Sequence, residues 1–378
     1  MDTPVYIAFI WHMHQPFYKD TLTGEIPMPW VRLHAIKDYL NMVDILRNFP
    51  AMRQTFNIVP SLLDQIEDYT SDRLPADKFL KMTLTPAKEL TPDEKKFILS
   101  NFFMANWEKM IYPLPRYYEL LIKRGKILSP SMLDRISNSF RAQDYLDLQV
   151  LFNLCWFDPF YRNNDLELGA LVNKGARYSE EDKALVINKQ IELIRRVIPA
   201  YRDLQERGQI EVSVSPYYHP ILPLLCDDNI ARTSMPGAAM PHRRFSHPED
   251  AKWHVQNAVK RYEKTFGRKP DGMWPSEGSV SEDILPIIAE SGIKWIATDE
   301  NILFRSLDRQ RSAEPMYKPY LLKRHNAELN IIFRDHGLSD AVGFVYQNVP
   351  APHAVNDFIS HIHRIRERLQ RHKGGSFL

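Results

Sequence analysis

Side chains capable of chemistry recur in this sequence directly after short apolar runs. They include histidines, tryptophans and carboxylates, and no glycine-rich phosphate loop stands among them. Aromatic faces can stack on pyranose rings, while charged and imidazole groups hydrogen-bond to sugar hydroxyls. The pattern therefore favours a carbohydrate ligand. The candidate binding residues are His12, His14, Gln15, Trp30, Trp156, His219, Trp274 and Asp299.

Glu277 is the candidate catalytic residue. It lies in GMWPSEGSVS, where Pro275 ends an apolar run, so its carboxylate is expected at a strand-to-helix turn. A glutamate at such a turn can also be a capping or surface residue. The adjacent Trp274 favours a sugar site, and a retaining glycosidase needs a carboxylate nucleophile about 5 to 5.5 Å from a second carboxyl group. Glu277 is suited to the first of these roles.

A metal site is the main alternative for the histidines. His12 and His14 are two residues apart, so on an extended strand end they point to the same side. With His219, Asp299 or Asp335 they offer ligands for a divalent metal, as a metal-dependent polysaccharide deacetylase would require. One histidine can instead be a hydrogen-bonded core residue while the other contacts sugar hydroxyls. Because the HxH motif has no carboxylate of its own, we expect no metal and no cofactor.

Alternating strands and helices are needed to bring these residues to one rim. Six apolar runs predict parallel strands, and stretches with apolar residues at helical spacing separate them. The predicted strands are residues 5–10, 52–59, 210–215, 272–274, 294–298 and 329–334, and a further strand at 320–323 pairs with the last. We therefore expect an α/β chain with the period of a barrel.

The domain organisation follows from where strand signals are missing. Between residues 61 and 174 the patterns are helical, which predicts a helical insertion after the second strand. We expect residues 1–378 to form one domain containing this insertion. Gly374 and Gly375 predict the end of the last helix, so the sequence stops where another strand would begin.

The charge and composition of the chain exclude some classes of binding partner. Forty-nine Lys and Arg against forty-seven Asp and Glu leave a formal charge of +2 on 378 residues. Because no long run of one sign occurs, we expect no nucleic-acid and no membrane partner. The first apolar run is too short to span a membrane and lacks the flanks of a signal peptide, so we expect a cytoplasmic protein.

Several long motifs together resemble one enzyme family, glycoside hydrolase family 57. The resemblance covers essentially the whole chain, with the motifs in the family's order. The motifs are WHMHQP, PWVRLHAIKDY, FNIVPSLLDQIEDY, LQVLFNLCWFDP, GQIEVSVSPYYHPILPLL, HPEDA, GMWPSEGSVSEDILPIIAESGIKWIATDE and FRDHGLSDAVGFVY.

The resemblance implies a fold, an activity and roles for two residues. It implies an incomplete (β/α)7 barrel that acts on α-1,4 or α-1,6 glucans, or on maltooligosaccharides, with retention of configuration and without a catalytic metal. Members of this family are amylases, branching enzymes, glucanotransferases or pullulanases. The WPSE motif makes Glu277 the implied nucleophile, and the HQP motif makes His14 an implied contact of the sugar at the cleavage point.

One departure from the family pattern concerns the general acid. In the family an aspartate near the seventh strand, in a stretch like ILDGENAWE, is the acid/base, and this sequence has no such stretch. We therefore expect a chain truncated before its seventh strand and before the family's C-terminal helical region. General acid catalysis contributes about 10² to 10⁴ in rate, so turnover by this chain alone is expected to be impaired. Two alternatives follow from the missing acid. Either a separately encoded C-terminal piece supplies it, or the chain has a non-catalytic glucan-binding role that needs a partner chain.

Overall fold

The computed structural model describes residues 5–324, 326–370 and 376–377. The chain divides into two compact units. The first comprises the N-terminal residues up to His14, residues 53–61 and the residues from Arg207 onward, and the second comprises residues 15–52 and 62–206. Among the described residues, no helix combines the length and the apolar character needed to cross a membrane.

Strands form the framework of the first unit and only a small part of the second. The described residues form eleven strands, numbered here in chain order. They are β1 (Val5–Tyr6), β2 (Ile10–Met13), β3 (Glu25–Ile26), β4 (Gln54–Ile58), β5 (Ala76–Asp77), β6 (Ile210–Val214), β7 (Gly272–Met273), β8 (Trp295–Asp299), β9 (Tyr320–Arg324), β10 (Ala327–Arg334) and β11 (Ser376–Phe377).

Seven of these strands form one mostly parallel sheet in the order β2-β4-β6-β7-β8-β10-β9. The first six run parallel to their neighbours, and β9 pairs with β10 in the antiparallel direction. Five of the six predicted parallel strands, and the pairing of the last of them with the strand predicted at 320–323, are therefore confirmed. Their carboxyl ends meet at one edge of the sheet, which is where functional groups collect in α/β folds.

The first apolar run does not form the single strand predicted for residues 5–10. Val5 and Tyr6 pair in parallel with Ser376 and Phe377, whereas the sheet ladder with β4 begins only at Ile10. The run is divided because its two ends pair with different strands. The strand that enters the large sheet consequently extends to Met13, and His12 lies inside it rather than after it.

Helices follow most strands of the first unit. They begin and end near the predicted bounds, and strand residues such as Val214, Met273 and Ile296 pack in the buried core. Gly374 and Gly375, the predicted helix stop, lie outside the described residues. The helical segments are Leu222–Cys226, Asp228–Ile230, Ala231–Ser234, Pro248–Phe266, Ser276–Gly278, Ile284–Glu290, Glu300–Ser306, Ala313–Met316, His336–Asp340, Ala341–Val345, Tyr346–Asn348 and Ala351–Gln370.

The second unit is almost entirely helical, and β3 and β5 form a two-stranded parallel sheet within it. Its segments are Trp30–His34, Ala35–Tyr39, Leu40–Asp44, Ile45–Asn48, Pro60–Thr70 (from residue 62 on), Lys78–Leu84, Pro92–Asn101, Trp107–Ile111, Pro115–Arg124, Pro130–Met132, Leu133–Ser139, Ala142–Leu154, Pro159–Asn164, Leu166–Lys174 and Glu180–Glu206. Residues 61–174 are thus helical as predicted, apart from β5. Their status as an insertion stays a prediction.

A buried ion pair stabilises this unit. Arg32, whose side chain is fully buried, donates from Nε to the carboxylate of Asp77 at 2.9 Å, and it donates to the amide oxygens of Asn153 and Gln190. Asp77 also accepts the backbone N–H groups that begin the helix after β5. The buried guanidinium is therefore held by a carboxylate and two amides, as a buried charge requires.

Candidate functional site

Three histidines from the ends of β2 and β6, the two strands on either side of β4, form a cluster. His12 lies in β2, His14 follows it, and His219 follows β6, so each is brought to the carboxyl edge of the sheet. The ring centroids of His14 and His219 are 4.1 Å apart and stacked, and those of His12 and His219 are 5.0 Å apart. Each ring offers a nitrogen within 4.8 Å of the others. The sequence predicted all three as site residues, and the fold brings them together.

A buried amide determines how the His12 ring is oriented. Asn57, which is directly opposite His12 in the β2–β4 ladder, donates from Nδ2 to the hydroxyl of Ser213 and accepts the Ser215 hydroxyl at its Oδ1. The His12 Nδ1 lies 2.6 Å from the same Oδ1, so Nδ1 carries the proton and donates. Nε2 of a neutral His12 is then left as an acceptor for a ligand hydroxyl.

The histidine cluster is uncharged at neutral pH. Desolvation lowers the pKa of His12 and of His14, and in His14 the neighbouring His12 lowers it further. Burial and the two neighbouring imidazoles lower the pKa of His219 to about 3. The His219 side chain is 3% exposed, and its Nε2 is buried without a hydrogen-bond partner among the described residues. The cluster therefore offers hydrogen-bonding groups rather than positive charge.

Glu277 lies on a one-turn helical segment that follows β7. Its carboxylate is 69% exposed, and one oxygen lies 3.7 Å from Nδ1 of His219. The backbone of Glu277 has a φ of +56°, and Gly278 follows with a φ of +66°. The carbonyl of Gly278 accepts a hydrogen bond from the hydroxyl of Thr298 in β8, which fixes the turn to the sheet. The turn holds an accessible carboxylate beside the histidine cluster.

His219 and Glu277 share an unusual backbone conformation. His219 has a φ of +58°, so both residues occupy the left-handed region that is unfavourable for residues with a Cβ. Such conformations persist only where the surrounding structure holds them, and they are frequent at functional sites. Trp274, three residues before Glu277, adds an aromatic ring whose centroid lies 6.2 Å from that of His12.

The carboxylates at the ends of β8 and β10 are held by cations. Asp299 is 2.8 Å from the guanidinium of Arg334 and 2.9 Å from Nδ1 of His336, and backbone and side-chain hydrogen bonds hold its pKa below the usual range despite desolvation. Asp335 lies 3.2 Å from Arg311 and accepts the hydroxyl of Tyr317. Asp299 is therefore already bound by Arg334 and His336, and a role as a ligand contact does not explain these two ion pairs.

Three of the predicted binding residues belong to the second unit. Trp30 and Trp156 form an aromatic group with His34, with ring centroids 5.7 Å apart between the two tryptophans. Trp156 is buried, and within the described residues its Nε1 has no hydrogen-bond partner. Gln15 accepts the hydroxyl of Tyr18 and donates to that of Tyr39.

The candidate binding residues chosen from the sequence do not include the polar residues that lie beneath the histidines. Asn57, Ser213 and Ser215 are completely buried, and their hydrogen bonds orient His12 and reach the backbone carbonyl of Trp274. The available signal is a polar residue inside an otherwise apolar strand, in TFNIV and in EVSVS. Such residues need internal hydrogen-bond partners and are therefore candidates for a supporting network.

Comparison with known proteins gives distant relatives. Alpha-amylase 1 of Dictyoglomus thermophilum is 25% identical over 128 residues, which are 34% of this chain and 15% of that protein. Among solved structures, a GH57 branching enzyme from Thermococcus kodakaraensis matches all of this chain and 64% of its own, with 15% identity and a TM-score of 0.52. A GH57-type branching enzyme from Pyrococcus horikoshii matches 89% of this chain and 48% of its own, with 17% identity and a TM-score of 0.46.

The chain thus spans less than two thirds of the length of each of these proteins. The match to the Thermococcus structure supports the fold, a mixed α/β architecture built on a mostly parallel sheet. The sequence model of Glycosyl hydrolase family 57 matches residues 8–375, which is nearly the entire chain. The chain therefore belongs to glycosyl hydrolase family 57.

Proposed function

We propose that this chain is a retaining glycoside hydrolase or glucanotransferase domain that acts on α-1,4 or α-1,6 glucans through a glycosyl-enzyme intermediate on Glu277. The observation that carries this proposal is an exposed carboxylate on a strained turn, next to three uncharged histidines at the carboxyl edge of a parallel sheet. Membership of the family and the name of the curated relative support a glucan substrate.

In the proposed reaction Glu277 attacks the anomeric carbon of the sugar. A bond forms between a carboxylate oxygen and that carbon, the glycosidic bond breaks, and the leaving oxygen takes the electron pair. Water or an acceptor sugar then displaces the carboxylate, which gives hydrolysis or transfer. The competition between these two acceptors decides which product forms.

The histidines and aromatic residues supply binding and orientation. His12 accepts a sugar hydroxyl at Nε2, and His14 contacts the sugar at the cleavage point. His219, whose buried Nε2 has no partner in the described part of the chain, provides a further polar contact. Trp274 provides a stacking face beside them. The remaining proposed contacts of the glucan, on the basis of residue type, are Gln15, Trp30, Trp156 and Asp299.

Protonation of the leaving oxygen is the step that limits the proposed reaction. A retaining site needs a second carboxyl group about 5 to 5.5 Å from the nucleophile. Asp299 is paired with Arg334 and its pKa is held below the usual range, so it is not suited to hold a proton at neutral pH, and Asp335 is engaged by Arg311 and Tyr317. We therefore propose that turnover of natural glucans by this chain alone is impaired.

The architecture proposed for this activity is an incomplete (β/α)7 barrel. Residues 61–174 form its helical insertion, and residues 1–378 form one glycosidase domain. The six parallel strands in a single sheet, each followed by site residues or helices, support this proposal. We likewise propose a cytoplasmic location.

The test is covalent labelling with α-maltosyl fluoride. Fluoride departs without protonation, so the nucleophile is tested separately from the general acid. We expect an added maltosyl mass on the intact protein that maps to the peptide containing Glu277, and its absence in Glu277→Gln. Glu290→Gln, which removes an exposed carboxylate of the same unit, is the matched control and should label like the wild type. Equal labelling of Glu277→Gln and the wild type would exclude the proposed nucleophile.

A metal-dependent polysaccharide deacetylase is the second candidate, because three histidine nitrogens lie within 4.8 Å of one another. The face-to-face packing of His14 and His219, with ring centroids 4.1 Å apart and planes inclined by 28°, argues against it, since a metal lies close to the plane of each imidazole that binds it. Release of acetate from an acetylated oligosaccharide that chelation abolishes would favour this candidate. Glucan labelling at Glu277 in chelator-treated protein would exclude it.

A further inference from the structure

Two exposed aromatic side chains lie side by side in the first unit. Tyr218 is 46% exposed and Trp253 is 47% exposed. Their rings are nearly parallel, with an angle of 12° between the planes and 6.3 Å between the centroids. Tyr217 packs against both, with centroid distances of 4.9 Å to Tyr218 and 5.6 Å to Trp253. We refer to Tyr218 and Trp253 as the aromatic platform.

The platform is attached to the same turn as the site histidine. Tyr218 immediately precedes His219, and the turn is fixed to the helix Pro248–Phe266 by two hydrogen bonds. The backbone N–H of Tyr217 donates to the carbonyl of His254 at 3.2 Å, and that of Tyr218 donates to Nδ1 of His254 at 3.4 Å. Burial lowers the pKa of His254, so its Nδ1 remains able to accept. The platform is consequently positioned by the elements that position His219.

The size of the aromatic platform and the charges near it restrict the class of ligand that it can bind. Two half-exposed rings offer far less area than the about 800 Å² per partner that a stable protein interface buries. The charge of Lys252, the neighbour of Trp253, is offset by the carboxylate of Glu290 at 3.7 Å. Exposed aromatic rings of this kind suit the apolar face of a neutral pyranose ring.

We propose that the aromatic platform is a glucan subsite that binds glucose residues remote from the cleavage point. The inference rests on the proposed function, because it assumes that the histidine cluster and Glu277 bind the sugar being cleaved. The subsite adds affinity only for oligosaccharides long enough to reach from that cluster to the platform. Affinity should therefore rise with chain length, and the rise should depend on Trp253.

The experiment measures the affinity of maltose, maltotriose and maltoheptaose by titration calorimetry. All measurements use the Glu277→Gln background, so that no substrate turns over. Trp253→Ala is compared with Trp253→Phe, which keeps an aromatic face. Phe344→Ala is the matched control, because Phe344 is an aromatic residue of the same unit that is 68% exposed.

We expect maltoheptaose to bind tighter than maltose and Trp253→Ala to lose about tenfold of the maltoheptaose affinity, equivalent to about 1.4 kcal/mol. Trp253→Phe should retain most of the affinity, and Phe344→Ala should retain all of it. An unchanged chain-length dependence in Trp253→Ala would overturn the subsite while leaving the proposed function intact. Failure of every maltooligosaccharide to bind the parent protein would overturn both.

Discussion

The strained backbone of Glu277 predicts that the fold becomes more stable when this residue is replaced by glycine. Glu277 has a φ of +56°, and a left-handed conformation costs a residue with a Cβ about 1 to 2 kcal/mol. Glycine avoids this cost but loses about 0.5 to 1 kcal/mol through its greater freedom in the unfolded chain. The expected net gain in the free energy of unfolding for Glu277→Gly is therefore about 0.75 kcal/mol, within a range of about 0 to 1.5 kcal/mol.

The side chain of Glu277 itself contributes little to the free energy of unfolding. The carboxylate is 69% exposed, and its neighbour His219 is uncharged at neutral pH because its pKa is about 3. Glu277→Gln keeps the Cβ and the backbone cost, so its stability should stay close to that of the wild type. Both variants should lose glycosyl transfer. Stability and activity are thus expected to change in opposite directions only in the glycine variant.

Equilibrium urea unfolding at pH 7 measures these differences. Arg177→Gly is the matched control, because Arg177 has a φ of +57° and is exposed in the second unit. It should gain a similar amount without loss of activity. The reasoning fails if Arg177→Gly is stabilised and Glu277→Gly is no more stable than Glu277→Gln, since the turn at Glu277 would then carry no strain that a Cβ causes.

Three further predictions concern pH and packing. The pKa of His219 is about 3 in the folded protein and about 6.5 in the unfolded chain, so the free energy of unfolding is highest above pH 6.5 and decreases as the pH falls towards 3. At pH 5 the decrease is about 2 kcal/mol at most. His219→Asn should therefore flatten the pH dependence of the free energy of unfolding in urea. Gly272→Ala places a Cβ 1.9 Å from the indole of Trp295 and should lower stability by about 1 to 3 kcal/mol in thermal unfolding, whereas Gly237→Ala, with nothing within 4 Å, should not. Asp77→Ala leaves the buried guanidinium unpaired and should cost about 3 to 5 kcal/mol, and a smaller loss on urea unfolding would show that water reaches it.

The presence of most of the parallel strands could be predicted because each has a strong local signal. Runs such as IEVSV and WIATD are apolar and β-branched and are bounded by helical patterns. The division of the first run between two sheets could not be predicted in this way. Residues 5–10 form one continuous apolar run, and only the pairing of Val5 and Tyr6 with Ser376 and Phe377 separates them from the large sheet. Local patterns carry no information about which distant strand a residue pairs with.

The candidate site also has features that local sequence patterns do not predict. The residue types of His12, His14, His219 and Glu277 marked them as candidates, because imidazoles and carboxylates at strand ends are seldom needed for packing. Their shared environment was not visible in the sequence. The stacking of His14 on His219 and the buried amide that orients His12 depend on the pairing of β2, β4 and β6.

The left-handed turns at His219 and Glu277 connect the fold to the proposed chemistry. A glycine would be the less strained residue at either position, so the presence of functional side chains there means that the local geometry is retained at a cost in stability. Neighbouring elements hold both turns. The carbonyl of Gly278, next to Glu277, accepts a hydrogen bond from Thr298 of β8, and the turn at His219 is hydrogen-bonded to the helix Pro248–Phe266. Because neither anchor involves the functional side chain, the turns keep their shape when that side chain is replaced. Substitution at Glu277 should therefore test the chemistry of the carboxylate rather than the folding of the site.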